Sequence, residues 1–117
     1  MHTDTNYFSD SAGLQLFHLL SHEGTGGASQ LVDGFAIAKA LYKENRPAYD
    51  ILAKVKMFYH SSGNEGLSIN SHVPFPVLVH DEGTRMLSQV RWNPYDKAAM
   101  DLESGLAGLD EWYRAAT

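Results

Sequence analysis

The runs PFPVLVH (74–80) and MLSQVRW (86–92) flank the turn residues Asp81 to Thr84. This arrangement commits the middle of the chain to antiparallel β-structure, because a short polar turn between two strand-type runs lays them side by side. VKMFYH (55–60) is a further strand-type run, and SSGNEGLSINSH (61–72) between them reads as loop. Nearer the N-terminus, GLQLFHLL (13–20) predicts a buried strand, although its length also permits a short helix. The Gly-rich SHEGTGGASQ (21–30) then leads into a short strand at SQLVD (29–33).

Helices are expected on either side of these strands. Asp33 can cap a helix over 34–45, whose apolar stripe is Phe35, Ala38, Leu41 and Tyr42. Pro47 suits a first helical turn, so 47–54 is a second short helix carrying Ile51 and Leu52. In NPYD, Asn93 is placed as N-cap and Pro94 as first helical residue. The helix that follows carries Leu102, Leu106, Leu109 and Trp112, weakened by Gly105 and Gly108. The pattern is α+β with five or six strands.

Composition narrows the partners. A formal charge of −5 over 117 residues offers no basic footprint for nucleic acid. The absence of cysteine removes disulfides, thiolate nucleophiles and Cys-ligated metal centres, and it agrees with a cytoplasmic protein. No apolar run approaches the ~20 residues of a membrane span, and no signal or transit pattern opens the chain.

One short motif carries chemistry. In MHTDTNYF, His2 and Asp4 are spaced to project from one face of a strand. A His-x-Asp pair is the first part of the facial triad that holds non-haem Fe(II). Such pairs arise often by chance, and an N-terminal histidine is usually just solvated.

The stretches HTDTNYF, AGLQLFHLLSHEGTGG, LVDGF and VRWNPYD, in this order, resemble the trimethyllysine and γ-butyrobetaine dioxygenases of carnitine biosynthesis. These are Fe(II)/2-oxoglutarate enzymes of the taurine-dioxygenase-like superfamily, and the likeness covers residues 2–113. It implies one partial domain over 1–117: an incomplete double-stranded β-helix (a cupin-like jelly roll) with a helical insertion and a C-terminal helix. It also implies an enzyme that hydroxylates a small trimethylammonium substrate, with 2-oxoglutarate as cosubstrate and ascorbate as accessory reductant.

Carried over by position, His2 and Asp4 match two of the iron ligands. Ser29 matches the hydroxyl that bonds the 2-oxoglutarate carboxylate, and Phe17 a wall of that pocket. Asn93 matches a substrate contact, and Tyr7 lies close enough to help bind a trimethylammonium group by cation–π attraction. Plainer readings stand beside these: Ser29 begins a strand, Asn93 caps a helix and Tyr7 joins the core. Thr5 stands where butyrobetaine enzymes carry an aromatic residue, which points to the trimethyllysine branch. The alternatives are a butyrobetaine enzyme and an inactive, self-associating remnant.

The resemblance places the third ligand, a distal histidine, and the cosubstrate arginine downstream of DEWYRAAT, with which the chain closes. None of His18, His22, His60, His72 or His80 matches the distal position. The expectation is a chain inactive by itself, whose unpaired strand edges promote homo-oligomers. A transit segment lost from a longer parent would place that parent in mitochondria.

Overall fold

A computed structural model describes residues 1–63, 66–98 and 102–117, with backbone alone for 102–108. The α+β class stands. Helix α1 (Gly34–Glu44) starts where the Asp33 carboxylate accepts the N–H groups of Phe35 and Ala36 at 2.9 and 3.0 Å. Asn45 closes α1 through its N–H to the Leu41 carbonyl, and its side chain caps α2 (Arg46–Lys54) at the Ala48 N–H. One residue thereby satisfies orphan groups at two helix ends and fixes the angle between them. Ala38 and Leu41 of the expected α1 stripe turn towards the core, whereas Phe35 and Tyr42 remain largely exposed.

Six short strands follow among the described residues: β1 (Lys56–Met57), β2 (His60–Ser62), β3 (Ser68–Asn70), β4 (Phe75–Pro76), β5 (Leu78–His80) and β6 (Leu87–Val90). They pair antiparallel as three separate ribbons, β1–β4, β2–β3 and β5–β6, among the described residues. The expected hairpin is β5–β6, with a bulge between Val79 and His80. Its turn is tied by Asp81, whose carboxylate accepts the Thr84 N–H at 2.7 Å and the Thr84 hydroxyl at 2.8 Å. Those bonds hold the Asp81 carboxyl below its usual range.

Helix α3 (Leu102–Ala116) and β5 pack on α2. The core gathers Ala38, Tyr49, Leu52, Met57, Tyr59, Val77, Leu78 and Trp112. Trp112 stacks on Trp92 with centroids 6.0 Å apart, and the Lys97 ammonium lies over both the Trp112 and Tyr113 rings. These aromatic contacts fasten α3 to the segment after β6.

Four expectations are corrected. Residues 13–20 form no strand, and Leu14, Leu16, Phe17, Leu19 and Leu20 are all exposed. A strand needs a neighbour for its row of N–H and C=O groups, and among the described residues no ladder reaches this run. Residues 29–33 are likewise without a ladder, and Leu31 is 95% exposed. The stretch 61–72, read as loop, contains the β2–β3 pairing, with Asn64 and Glu65 outside the described residues. Asn93 starts bends over 94–96 rather than a helix, and α3 begins at Leu102. The side chains of Leu102 and Leu106 lie outside the described residues.

Candidate functional site

The segment carrying His2 and Asp4 is neither helix nor strand. It is held by contacts to residues some ninety positions away. The Thr3 N–H donates to the Trp92 carbonyl at 2.6 Å, and the Trp92 N–H donates to the Thr3 hydroxyl at 2.8 Å. Asn6, with no exposed surface, donates from Nδ2 to the Thr3 carbonyl at 3.3 Å. Thr5 adopts a left-handed φ of 58°, unfavourable for a threonine. Two bonds maintain it: the Ala12 N–H donates to the Thr5 hydroxyl at 2.9 Å, and the Ser11 hydroxyl donates to the Thr5 carbonyl. An aromatic side chain at position 5 could not accept the Ala12 bond.

With Thr3 pinned between them, the two candidate ligands converge. His2 Nε2 lies 3.0 Å from Asp4 Oδ1, and both side chains are about half exposed, at 47% and 43%. That separation is a hydrogen-bond length, with imidazole donating to carboxylate. It is also the edge of a coordination octahedron, since neighbouring ligands about 2.1 Å from an ion stand about 3 Å apart. One neutral imidazole nitrogen and one carboxylate oxygen form the donor mix of a non-haem iron site. The pair therefore fits as two ligands of such a centre. Among the described residues no cluster of three or more His, Asp or Glu side chains completes it.

The remaining candidates lie in two different settings. Phe17 (86% exposed) and Ser29 belong to the exposed 13–32 stretch, and neither packs on the core. Between them the chain turns through Gly26 and Gly27 at φ of 102° and 77°, conformations that a side chain would strain. Tyr7 packs against the core and meets Phe8 edge-on at 4.8 Å. Asn93 is buried, with both ends of its amide engaged. Its Oδ1 accepts the N–H groups of Tyr95 and Asp96, and its Nδ2 donates to Asp96 Oδ2 at 2.7 Å.

Sequence reasoning missed Arg91. It is 1% exposed and donates from Nη1 to the carbonyls of Asn6 and Phe8, each at 3.0 Å. Nη2 reaches the Ser9 carbonyl, and Nε donates to Gln89 Oε1 at 2.9 Å. Its sequence signal was slight: one basic residue at the end of an apolar strand run.

The family model described as taurine catabolism dioxygenase TauD, TfdA family matches residues 1–117. A trimethyllysine dioxygenase of Meyerozyma guilliermondii is 42% identical over 97% of this chain and 28% of its own length. The mitochondrial trimethyllysine dioxygenase of Gallus gallus is 36% identical over 97% of the chain and 27% of its own length. A gamma-butyrobetaine dioxygenase of a Pseudomonas species is 41% identical over 52% of the chain and 16% of its own length. The chain thus spans little more than a quarter of the trimethyllysine relatives.

Proposed function

The chain belongs to the taurine catabolism dioxygenase TauD, TfdA family, and on that premise we propose that it is part of an Fe(II)/2-oxoglutarate dioxygenase hydroxylating trimethyllysine. The observation that carries the reading is the convergence of His2 Nε2 and Asp4 Oδ1 at 3.0 Å on a segment pinned to Trp92. The trimethyllysine relatives match nearly the whole chain, whereas the butyrobetaine relative matches about half. The Gallus gallus relative is a mitochondrial trimethyllysine dioxygenase by name, which supports a mitochondrial location over a cytoplasmic one.

In this reading residues 1–117 form one portion of a jelly-roll domain. Bound ferrous iron, with 2-oxoglutarate and dioxygen, supplies the oxidising power for hydroxylating an unactivated C–H bond. His2 gives the iron a neutral nitrogen ligand, and Asp4 gives an anionic oxygen that offsets part of the ion's charge. Thr3 keeps both side chains on one side by fixing the backbone between them. In the whole enzyme Ser29 would donate its hydroxyl to a cosubstrate carboxylate, and Phe17, exposed in this chain, would be covered as a wall of that pocket. Tyr7 offers a ring to the trimethylammonium group. Asn93 sets the adjoining bend and keeps one amide hydrogen for substrate.

The test is a chimera in which residues 1–117 replace the matching segment of the Meyerozyma guilliermondii relative. We expect trimethyllysine-dependent succinate formation, abolished by His2→Ala or Asp4→Ala with the fold retained. Ser29→Ala should raise the 2-oxoglutarate KM about tenfold, from losing a hydrogen bond to a charged group worth ~1.5–3 kcal/mol. Full turnover without His2 or Asp4 would refute the assignment. The exposed apolar row from Leu14 to Leu20 favours a second reading, an inactive self-associating module. A folded chimera without turnover would support it.

A further inference from the structure

The candidate iron ligands sit on a stretch with no helix or ladder of its own, so their placement depends on what grips that stretch. Beyond the Thr3–Trp92 bonds, the grip comes from Arg91. Its guanidinium gathers the carbonyls of Asn6, Phe8 and Ser9, bonds Gln89 through Nε, and lies over the Phe75 ring at 4.0 Å. No carboxylate is among these hydrogen-bond partners. Burying a cation without a paired anion costs desolvation, and burial pushes the Arg91 pKa down while Tyr59 and Asp10 push it up.

A purely apolar core position would avoid that cost. A rigid fork of five donors, however, can bond spread-out carbonyls of an irregular loop and Gln89 at once; an apolar side chain has no donor, and a lysine's three donors sit on a single nitrogen. The carbonyls so collected begin two residues after Asp4.

We propose that Arg91 is the positioning residue of the His2–Asp4 pair, latching residues 6–9 to the end of β6 so that the two ligands meet a metal ion already converged. The inference rests on the iron reading of that pair. Arg91 itself touches neither ligand. It acts through the backbone, as supporting groups around metal sites commonly do, and their loss typically costs about tenfold to a hundredfold in metal affinity.

The experiment uses the ¹⁵N-labelled 117-residue chain titrated with Mn(II), which accepts the same nitrogen and oxygen donors and survives in air. Paramagnetic broadening of amide signals locates the ion and gives a midpoint. The expected result is broadening centred on residues 1–5, with the midpoint raised at least about tenfold in Arg91→Met and Arg91→Lys. The β5–β6 amide signals should persist in both variants, and exchange at the Thr3 and Phe8 amides should accelerate. A merely structural role would change stability without moving the midpoint of the folded chain. Equal midpoints in parent and variants would overturn the positioning role and leave the pair as a metal site. No broadening near residue 2 in the parent would overturn the positioning role in this chain, and the iron reading would then stand or fall on the chimera. If Arg91→Met unfolds, Arg91→Lys decides. Loss of the β5–β6 signals in both variants would overturn the proposal in favour of a core role.

Discussion

Thr3 and Trp92 hold one another in both directions: the Thr3 N–H donates to the Trp92 carbonyl, and the Trp92 N–H donates to the Thr3 hydroxyl. The second bond depends on the hydroxyl alone. Thr3→Val keeps the shape but leaves the Trp92 N–H without its acceptor, at a cost of about 1–3 kcal/mol. Thermal unfolding should shift down accordingly, and the amides of residues 3–9 should exchange faster than those of α2. An unchanged exchange pattern would show that the segment is held without this pair.

Asn93 separates local stability from substrate binding. Its amide donates to the Asp96 carboxylate at 2.7 Å, so Asn93→Asp sets two carboxylates against each other. The variant should lose about 1–3 kcal/mol at neutral pH. Repulsion raises one carboxyl's folded pKa above the unfolded value of about 4, so stability should recover as pH falls through that raised value towards about 4. Asn93→Ala should lose similar stability without that recovery. Urea unfolding at pH 7 and pH 4 distinguishes the two, and a fully stable Asn93→Asp chain would contradict the Asp96 contact.

Tyr59 links the core to alkaline pH. Burial pushes its phenol up to about 12, with the Arg91 charge opposing the shift. A folded pKa above the unfolded value of about 10 means that the stability is fully present below pH ~10 and is lost as pH rises through about 12. The two-unit rise corresponds to roughly 3 kcal/mol. Tyr59→Phe should flatten the fall in stability between pH 10 and 12, which denaturant titrations at fixed pH would measure. An identical slope would assign it to another group.

The exposed row from Leu14 to Leu20, together with Leu31, predicts self-association of the chain alone. Sedimentation should show a mean mass rising with concentration, and Leu16→Glu with Phe17→Glu should suppress the rise. The same chain should show no measurable trimethyllysine hydroxylation, because two half-exposed ligands hold an ion weakly and no cluster of three His, Asp or Glu side chains completes a site among the described residues. A concentration-independent monomer that makes hydroxylated product would refute both expectations.

The sequence by itself determined what neighbours along the chain can settle. Asp33 caps α1 and Asp81 ties the β5–β6 turn through bonds spanning two or three residues, so residue type and spacing suffice. The same holds for Pro47 in the first turn of α2, whereas the His-x-Asp spacing only marks the pair, whose approach to 3.0 Å accompanies the distant Thr3–Trp92 bonds. Tertiary structure decided the rest. Residues 13–20 look like a strand because they are apolar, but hydrophobicity states a need for cover without saying whether a partner strand arrives. Asn93 caps a bend rather than a helix, since one side-chain acceptor serves either, and directly after the bend Lys97 pairs with the distant Tyr59. Arg91 was least legible of all. Its partners at 6, 8 and 9 lie more than eighty residues away, and only the folded chain brings a guanidinium to three carbonyls that no local pattern marks.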